Sequence, residues 1–231
     1  MDSRLARRIG ILRFKKLTGN QFLYYISIII GFLVGMGAVV IKKGVHLLQH
    51  VLTNLDNFAL QEYLYIFYPL IGIGITVILI NFVIKRHVGH GIPSVLFAIS
   101  KQNGIIPKHN IFSSIITSIF TVGFGGSVGL EGPTVATGAA IGSGMGQLFR
   151  LNYRQITHML AFASAAALAA IFKAPIAAIV FAVEVIMIDL TMVALVPLLI
   201  ASVTAVITSY VFMGRGAIYA IQVIDPFAYS D

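Results

Sequence analysis

Residues 123–133 read GFGGSVGLEGP. The stretch separates an apolar segment, 110–122, from a run of small residues that begins at Pro133, and it sets a carboxylate, Glu131, inside a glycine-rich break. Composition places that break in a membrane. Of 231 residues 58% are hydrophobic and 10% are charged, against roughly 25% charged in a soluble domain. The mean hydropathy is +0.94. A bilayer core of about 30 Å takes ~20 helical residues to cross, and residues 22–41 and 63–84 supply such runs. At membrane depth a charge is costly. Backbone groups freed by a helix break are tolerated there only where protein or a water-filled cavity covers them. The pattern predicts an all-α polytopic membrane protein with tilted and discontinuous helices.

Working outward, plain spans alternate with short pieces. A basic leader, 1–18, carries Arg4, Arg7, Arg8, Arg13, Lys15 and Lys16. It precedes an apolar segment too long for a signal-peptide core and without a small-residue cleavage pattern. The positive-inside rule then keeps the N-terminus cytoplasmic, in a multi-pass protein of the cell membrane. A long helix over about 19–52 and a second span over 63–84, closed by Lys85 and Arg86, form a hairpin. GHGIPSVLFAIS (89–100) is too short to span. From Pro133 a small-residue helix runs to about Arg150, followed by 156–172, a break at KAPI, a helix through Asp189 and a last span over 191–213. The membrane domain is read as 19–213, with 214–231 as a linker. The net charge of +8 is dispersed over the leader and the membrane flanks. No helix-turn-helix or RNA-binding signature accompanies it, so it suits anionic lipid rather than nucleic acid. The chain holds no cysteine, which excludes disulfides and thiol chemistry.

Short apolar segments broken by Gly and Pro mark the binding sites of transporters. Proline is favoured at a helix start, where no backbone N–H is needed. Three starts occur in apolar context: Pro93 after GHGI, Pro133 after GLEG and Pro175 after FKA. A helix N-terminus offers unpaired N–H groups and about half a positive charge, an anion site that needs no cationic side chain. Conduction also requires that an ion be held weakly enough to leave. Glu131, two residues before Pro133, is expected just outside that helix start. Its carboxylate can compete with a substrate anion for the same donors and withdraw when protonated, which makes it a gate. The alternative is a Glu that caps its own helix.

These residues resemble the CLC family of voltage-gated chloride channels and chloride/proton antiporters. GHGIP (89–93) is similar to the family's GxGIP, GLEGP (129–133) to its G-[K/R]-E-G-P, and FKAPIAAIVFAVE (172–184) to FxAPxxGxxFxxE. The resemblance covers about 20–213 and implies one half of a CLC-type inverted-repeat pore, working as a homodimer with one pore per subunit. It implies that Glu131 is the gating glutamate. It also implies that anions are held around His90, Gly91, Ile92 and Pro93 and around Gly129, Gly132, Pro133 and Thr134. Glu184 and Lys173 are candidates for polar support. His90 stands where the family has an anion-facing Ser, Leu130 where it has a basic residue, and Val185 where its antiporters carry an internal proton-transfer glutamate. The family's second repeat, with GxFxP and an anion-binding Tyr, does not occur in these residues, as in a truncated product or partial gene model.

The remaining patterns are read more plainly. Gly138, Gly142 and Gly146 recur every four residues and predict a face for close helix packing. Lys173 reads as a snorkelling interface residue rather than an anion attractor. His46 and His50 have metal-ligand spacing but no third ligand in view, so no metal is expected. GGSVG (125–129) fits G-x-S-x-G without the strand–turn–helix or triad order that a serine hydrolase requires. No Walker A or G-x-G-x-x-G sequence occurs, and no enzyme and no cofactor are expected. The function predicted is gated passage of a small inorganic anion, chloride, by a channel or uncoupled transporter. Chloride/proton antiport and a non-conducting membrane assembly subunit are the alternatives.

Overall fold

Small residues decide how the helices of this chain meet. The structure, a computed structural model, describes residues 19–54, 61–86, 88–89, 91–186 and 192–214. The leader 1–18, His87, His90, Asp189 and all but the first residue of the 214–231 segment lie outside the described residues. Helix α1 covers Gly19–Asn54. Helix α2 covers Gln61–Ile78 and continues as a π-helical turn, Leu79–Ile84, that ends where Lys85 turns left-handed. Next come α3 (Gly91–Lys101), α4 (His109–Gly123) and α5 (Glu131–Leu148). Helix α6 covers Tyr153–Phe172, and α7 (Pro175–Phe181) runs on into a π-helical turn, Ala182–Ile186. Helix α8 is Met192–Met213. Among the described residues, four segments are long and apolar enough to cross a membrane: Gln21–Asn54, Phe67–Ile84, Tyr153–Phe172 and Ala194–Met213.

Helix α6 forms the centre. Its stretch from Met159 to Ile171 is buried throughout, and Asn152 starts it with a reciprocal capping box to Gln155. Lipid tails are as apolar as Leu, so helices in a membrane gain little from hydrophobic burial and associate through close packing of small residues. Gly138 and Gly142 bring α5 against the α6 backbone at Ala163 and Met159, and Gly146 faces Ile156. The predicted glycine face is therefore a packing face. Gly31 and Gly35 do the same for α1 against Ala201, Thr204, Ala205 and Thr208 of α8. Helix α2, by contrast, leaves Phe67, Leu70, Ile73, Ile78, Phe82 and Val83 exposed, which suits a lipid-facing span.

The helix limits follow the sequence reading within a few residues, with one consequential difference. Helix α5 starts at Glu131 rather than Pro133, and α3 at Gly91 rather than Pro93. The first turn of any helix leaves its N–H groups without intrahelical acceptors, so proline fits its third position as well as its first. Glu131 thus belongs to the first turn of α5 and does not lie outside it.

Candidate functional site

The starts of α3 and α5 abut. Gly91, with φ +50°, faces Gly132 so closely that a Cβ on Gly91 would stand 3.2 Å from the Gly132 Cα. Only glycine adopts this left-handed conformation without strain and also leaves the space. Pro93 and Pro133 each occupy the third helical position. The N–H groups of Gly91 and Ile92, and of Glu131 and Gly132, are therefore the first-turn donors at this junction. Two helix N-termini meeting at one point add their partial positive charges.

Beside the junction lies a cavity of about 540 Å³, lined by Gly89, Gly91, Gly129, Glu131, Gly132 and Pro133 and, from α2 and α4, by Thr76, Ser114, Thr117, Ser118 and Thr121. Glu131 is the sole ionisable side chain among the described residues that line it. Its carboxylate folds back over Gly129, occupying the space that a side chain at 129 would fill. Pro93 faces a second cavity, of about 470 Å³, which it shares with Gly89, Ser94 and Asn110. Ser94 Oγ donates to the Gly91 carbonyl (2.8 Å) and braces the α3 start.

The predicted residues separate into those brought together here and those set apart. Gly91, Gly129, Glu131, Gly132 and Pro133 line one cavity. Ile92 packs against the apolar core. Thr134 is buried, and both its N–H (3.1 Å) and its hydroxyl (2.6 Å) donate to the Leu130 carbonyl, so its donors serve the helix and not the cavity. The third predicted start, at Pro175, does not line this cavity, and neither do Lys173 and Glu184. Lys173 closes α6 in a left-handed conformation (φ 56°), with Nζ donating to the Gly214 carbonyl (2.8 Å) at the end of α8. Glu184 is exposed on the π-helical turn after α7. The hydroxyls of α4 were not singled out by motif. Asn110, Ser114, Thr117, Ser118 and Thr121 follow helical spacing within an apolar segment, and that polar stripe is the signal that finds them.

The fold and this junction can be set beside known proteins. Residues 72–230 match the family model described as voltage-gated chloride channel. The chain belongs to the voltage-gated chloride channel, or CLC, family. Among its relatives is the "Putative chloride channel protein ClcB-like" of Ralstonia nicotianae (strain ATCC BAA-1114 / GMI1000), 33% identical over 132 residues. That match covers 55% of this chain and 31% of the relative. The crystal structure of a slow cyanobacterial Cl⁻/H⁺ antiporter superposes with a TM-score of 0.70 at 21% identity, covering 90% of this chain and 50% of that one. A CLC-type fluoride/proton antiporter gives a TM-score of 0.68 at 29% identity, covering 86% and 49%. This CLC chain thus spans about half the length of those solved structures. All-α membrane architecture is common to them.

Proposed function

We propose that this protein passes a small inorganic anion, chloride, across the cell membrane as a gated channel or uncoupled transporter. The observation that carries this reading is the meeting of the α3 and α5 starts, Gly91 against Gly132, beside a cavity whose ionisable lining group among the described residues is Glu131. The two N-termini supply backbone donors and positive potential without a fixed cation, so an anion is attracted yet free to leave. Glu131 is the gate: its carboxylate carries the charge type of the substrate and lies at the same helix start. We read the protein as a homodimer with a cytoplasmic N-terminus. His90 and the amides around it belong to the anion path in this reading.

Proton-coupled antiport is the second reading, favoured by the proton-coupled activity named for the fluoride/proton antiporter that this chain resembles. Val185, apolar and exposed after Glu184, supplies no proton acceptor and favours uncoupled passage. Reconstitution of the complete gene product in sealed liposomes separates them. Chloride efflux without proton uptake is the expected result; proton movement driven uphill by a chloride gradient would establish antiport. Absence of any anion flux would reject both and favour a non-conducting assembly subunit.

A further inference from the structure

The hydroxyl stripe of α4 is not explained by the helix-start site. Most of the hydroxyls lining the cavity are committed to protein acceptors. Thr117 Oγ1 donates to the Ser113 carbonyl (2.8 Å) and Ser118 Oγ to the Ser114 carbonyl (2.7 Å). Thr76 Oγ1 donates to the Gly72 carbonyl (2.9 Å) and lies 3.1 Å from Thr121 Oγ1 across the α2–α4 interface. Ser114 differs. It is 3% exposed, lines the cavity, and its Oγ has no hydrogen-bond partner among the described residues.

A helical serine with nothing else to bond turns back to the carbonyl four residues earlier. Ser27 and Ser164 do so here, at 2.7 and 2.9 Å. Ser114 does not bond the Asn110 carbonyl, and its Oγ lies buried in the wall of the cavity that the residue lines. Ser113, Thr137 and Ser202 also carry buried hydroxyls without a partner, but of these four Ser114 alone lines the cavity that holds Gly91, Glu131 and Gly132. A buried donor without an acceptor is unfavourable, and that penalty disappears when a ligand in the cavity accepts the hydrogen bond. The neighbouring groups define the ligand's charge: two helix N-termini bias the cavity towards an anion.

We propose that Ser114 is a side-chain ligand of the transported anion, its hydroxyl turning about χ1 to donate from α4 to an ion whose other contacts are the first-turn amides of α3 and α5. It deepens the anion reading of this cavity and rests on it. A hydroxyl donor discriminates between ions. A small, strongly hydrated anion such as chloride loses more hydration on entry than thiocyanate does, and so depends more on each replacement donor. Ser114 therefore sets selectivity as well as affinity.

The test is chloride and thiocyanate flux through the complete gene product in liposomes. Ser114→Ala is expected to lower the chloride-to-thiocyanate flux ratio about tenfold, in keeping with a hydrogen bond to a charged group. Ser114→Thr, which keeps the hydroxyl, retains the ratio. Ser113→Ala removes an equally buried, unpartnered hydroxyl outside the cavity and leaves the ratio unchanged. The Ser114→Ala effect persists in a Glu131→Ala background. If it vanishes there, Ser114 serves the carboxylate and not the ion, and the proposal is overturned. An unchanged ratio in Ser114→Ala also overturns it while leaving the anion reading intact, whereas a wild-type protein without anion flux removes both. Should Ser114→Ala fail to fold, Ser114→Cys, with its weaker donor, is expected to give an intermediate ratio; a wild-type ratio there would count against Ser114.

Discussion

Gly91 and Gly132 meet backbone to backbone at the starts of α3 and α5, with 3.2 Å between the Gly132 Cα and the place a Cβ on Gly91 would take. The relation is asymmetric. Seen from Gly132, an added Cβ would find the Gly91 Cα at 3.6 Å, an ordinary contact, and only Gly91 has a positive φ. Gly91→Ala is therefore expected to be destabilising by ~1–3 kcal/mol, from left-handed backbone strain and the tight contact together. It should also weaken chloride binding by pushing the two N-termini apart. Gly132→Ala should leave the melting temperature in detergent within a degree or two of wild type, as expected of a change of ~0.5 kcal/mol or less. Equal losses in the two variants would contradict the asymmetry.

Glu131 lies over Gly129, and this contact yields a pair of variants with a shared outcome. In the proposed reading Glu131 is the gate; Glu131→Gln then removes a charge that competes with the anion, so chloride flux should lose its dependence on pH, and Glu131→Ala should do the same. Gly129→Ala keeps the carboxylate but puts a methyl group where it rests, so gating should shift in the same direction. If Glu131 only caps α5, Glu131→Ala would lower stability by ~0.5–2 kcal/mol and leave the pH profile of efflux intact. Flux measured across pH distinguishes the two roles.

Much of this was legible in the sequence because glycine and proline act locally. They mark GHGIP and GLEGP as helix starts without tertiary information, and apolar length alone marks the spans. What the sequence left open depends on packing. Nothing local says that the starts at Gly91 and Glu131 meet while the one at Pro175 stands apart, because that separation is set by how α5 and α7 each pack on α6. The start of α5 lies two residues before Pro133, since proline fits several first-turn positions equally well. The α4 hydroxyls were hidden for a further reason: Ser and Thr in an apolar helix usually satisfy themselves against the preceding turn, and only the geometry reveals that Ser114 does not.

Lys173 stands in the FKAP motif but makes its contacts at the end of α8. It precedes Pro175, yet its Nζ binds the Gly214 carbonyl and lies 5.1 Å from the centre of the Tyr210 ring. Lys173→Met should therefore lower stability by ~1 kcal/mol through loss of the cation–π contact and the hydrogen bond. Chloride flux per folded protein should not change. A selective loss of flux with unaltered melting would place Lys173 on the anion path.

The loop between α3 and α4 is held by one buried serine. Ser143 Oγ of α5 donates to the Gly104 carbonyl (2.6 Å) and accepts from the Ile106 N–H (2.9 Å), and Gln147 Nε2 donates to it at 3.1 Å. Gly104, Ile106 and Ser143 are all buried, so Ser143→Ala strands two backbone groups away from water. The expected loss is ~2–4 kcal/mol, the sum of two unsatisfied buried groups. Because this clasp fixes α3 and α4 relative to α5, the variant should melt earlier and show a lower apparent chloride affinity. Its anion selectivity should be unaltered, since Ser143 does not line the cavity.

The glycines of α5 provide an internal control for the packing of the whole membrane domain. A Cβ at Gly138 would lie 2.6 Å from the Ala163 carbonyl oxygen, and one at Gly142 would overlap the Met159 carbonyl oxygen. Both obstacles are backbone atoms of α6, which cannot rotate away, so relief requires the two helices to separate. Gly144, on the same helix, has nothing within 4 Å of the place its Cβ would take. Gly138→Ala and Gly142→Ala should each destabilise by ~1–3 kcal/mol or more through overpacking. Gly144→Ala should be neutral or gain up to ~1 kcal/mol from helix propensity. Since α6 is buried through the centre of the protein, the first two changes should lower the melting temperature in detergent and the yield of monodisperse protein together. A Gly142→Ala variant as stable as Gly144→Ala would mean that α5 and α6 do not pack at the separation described, and with it the placement of Glu131 at the head of α5 would have to be redrawn.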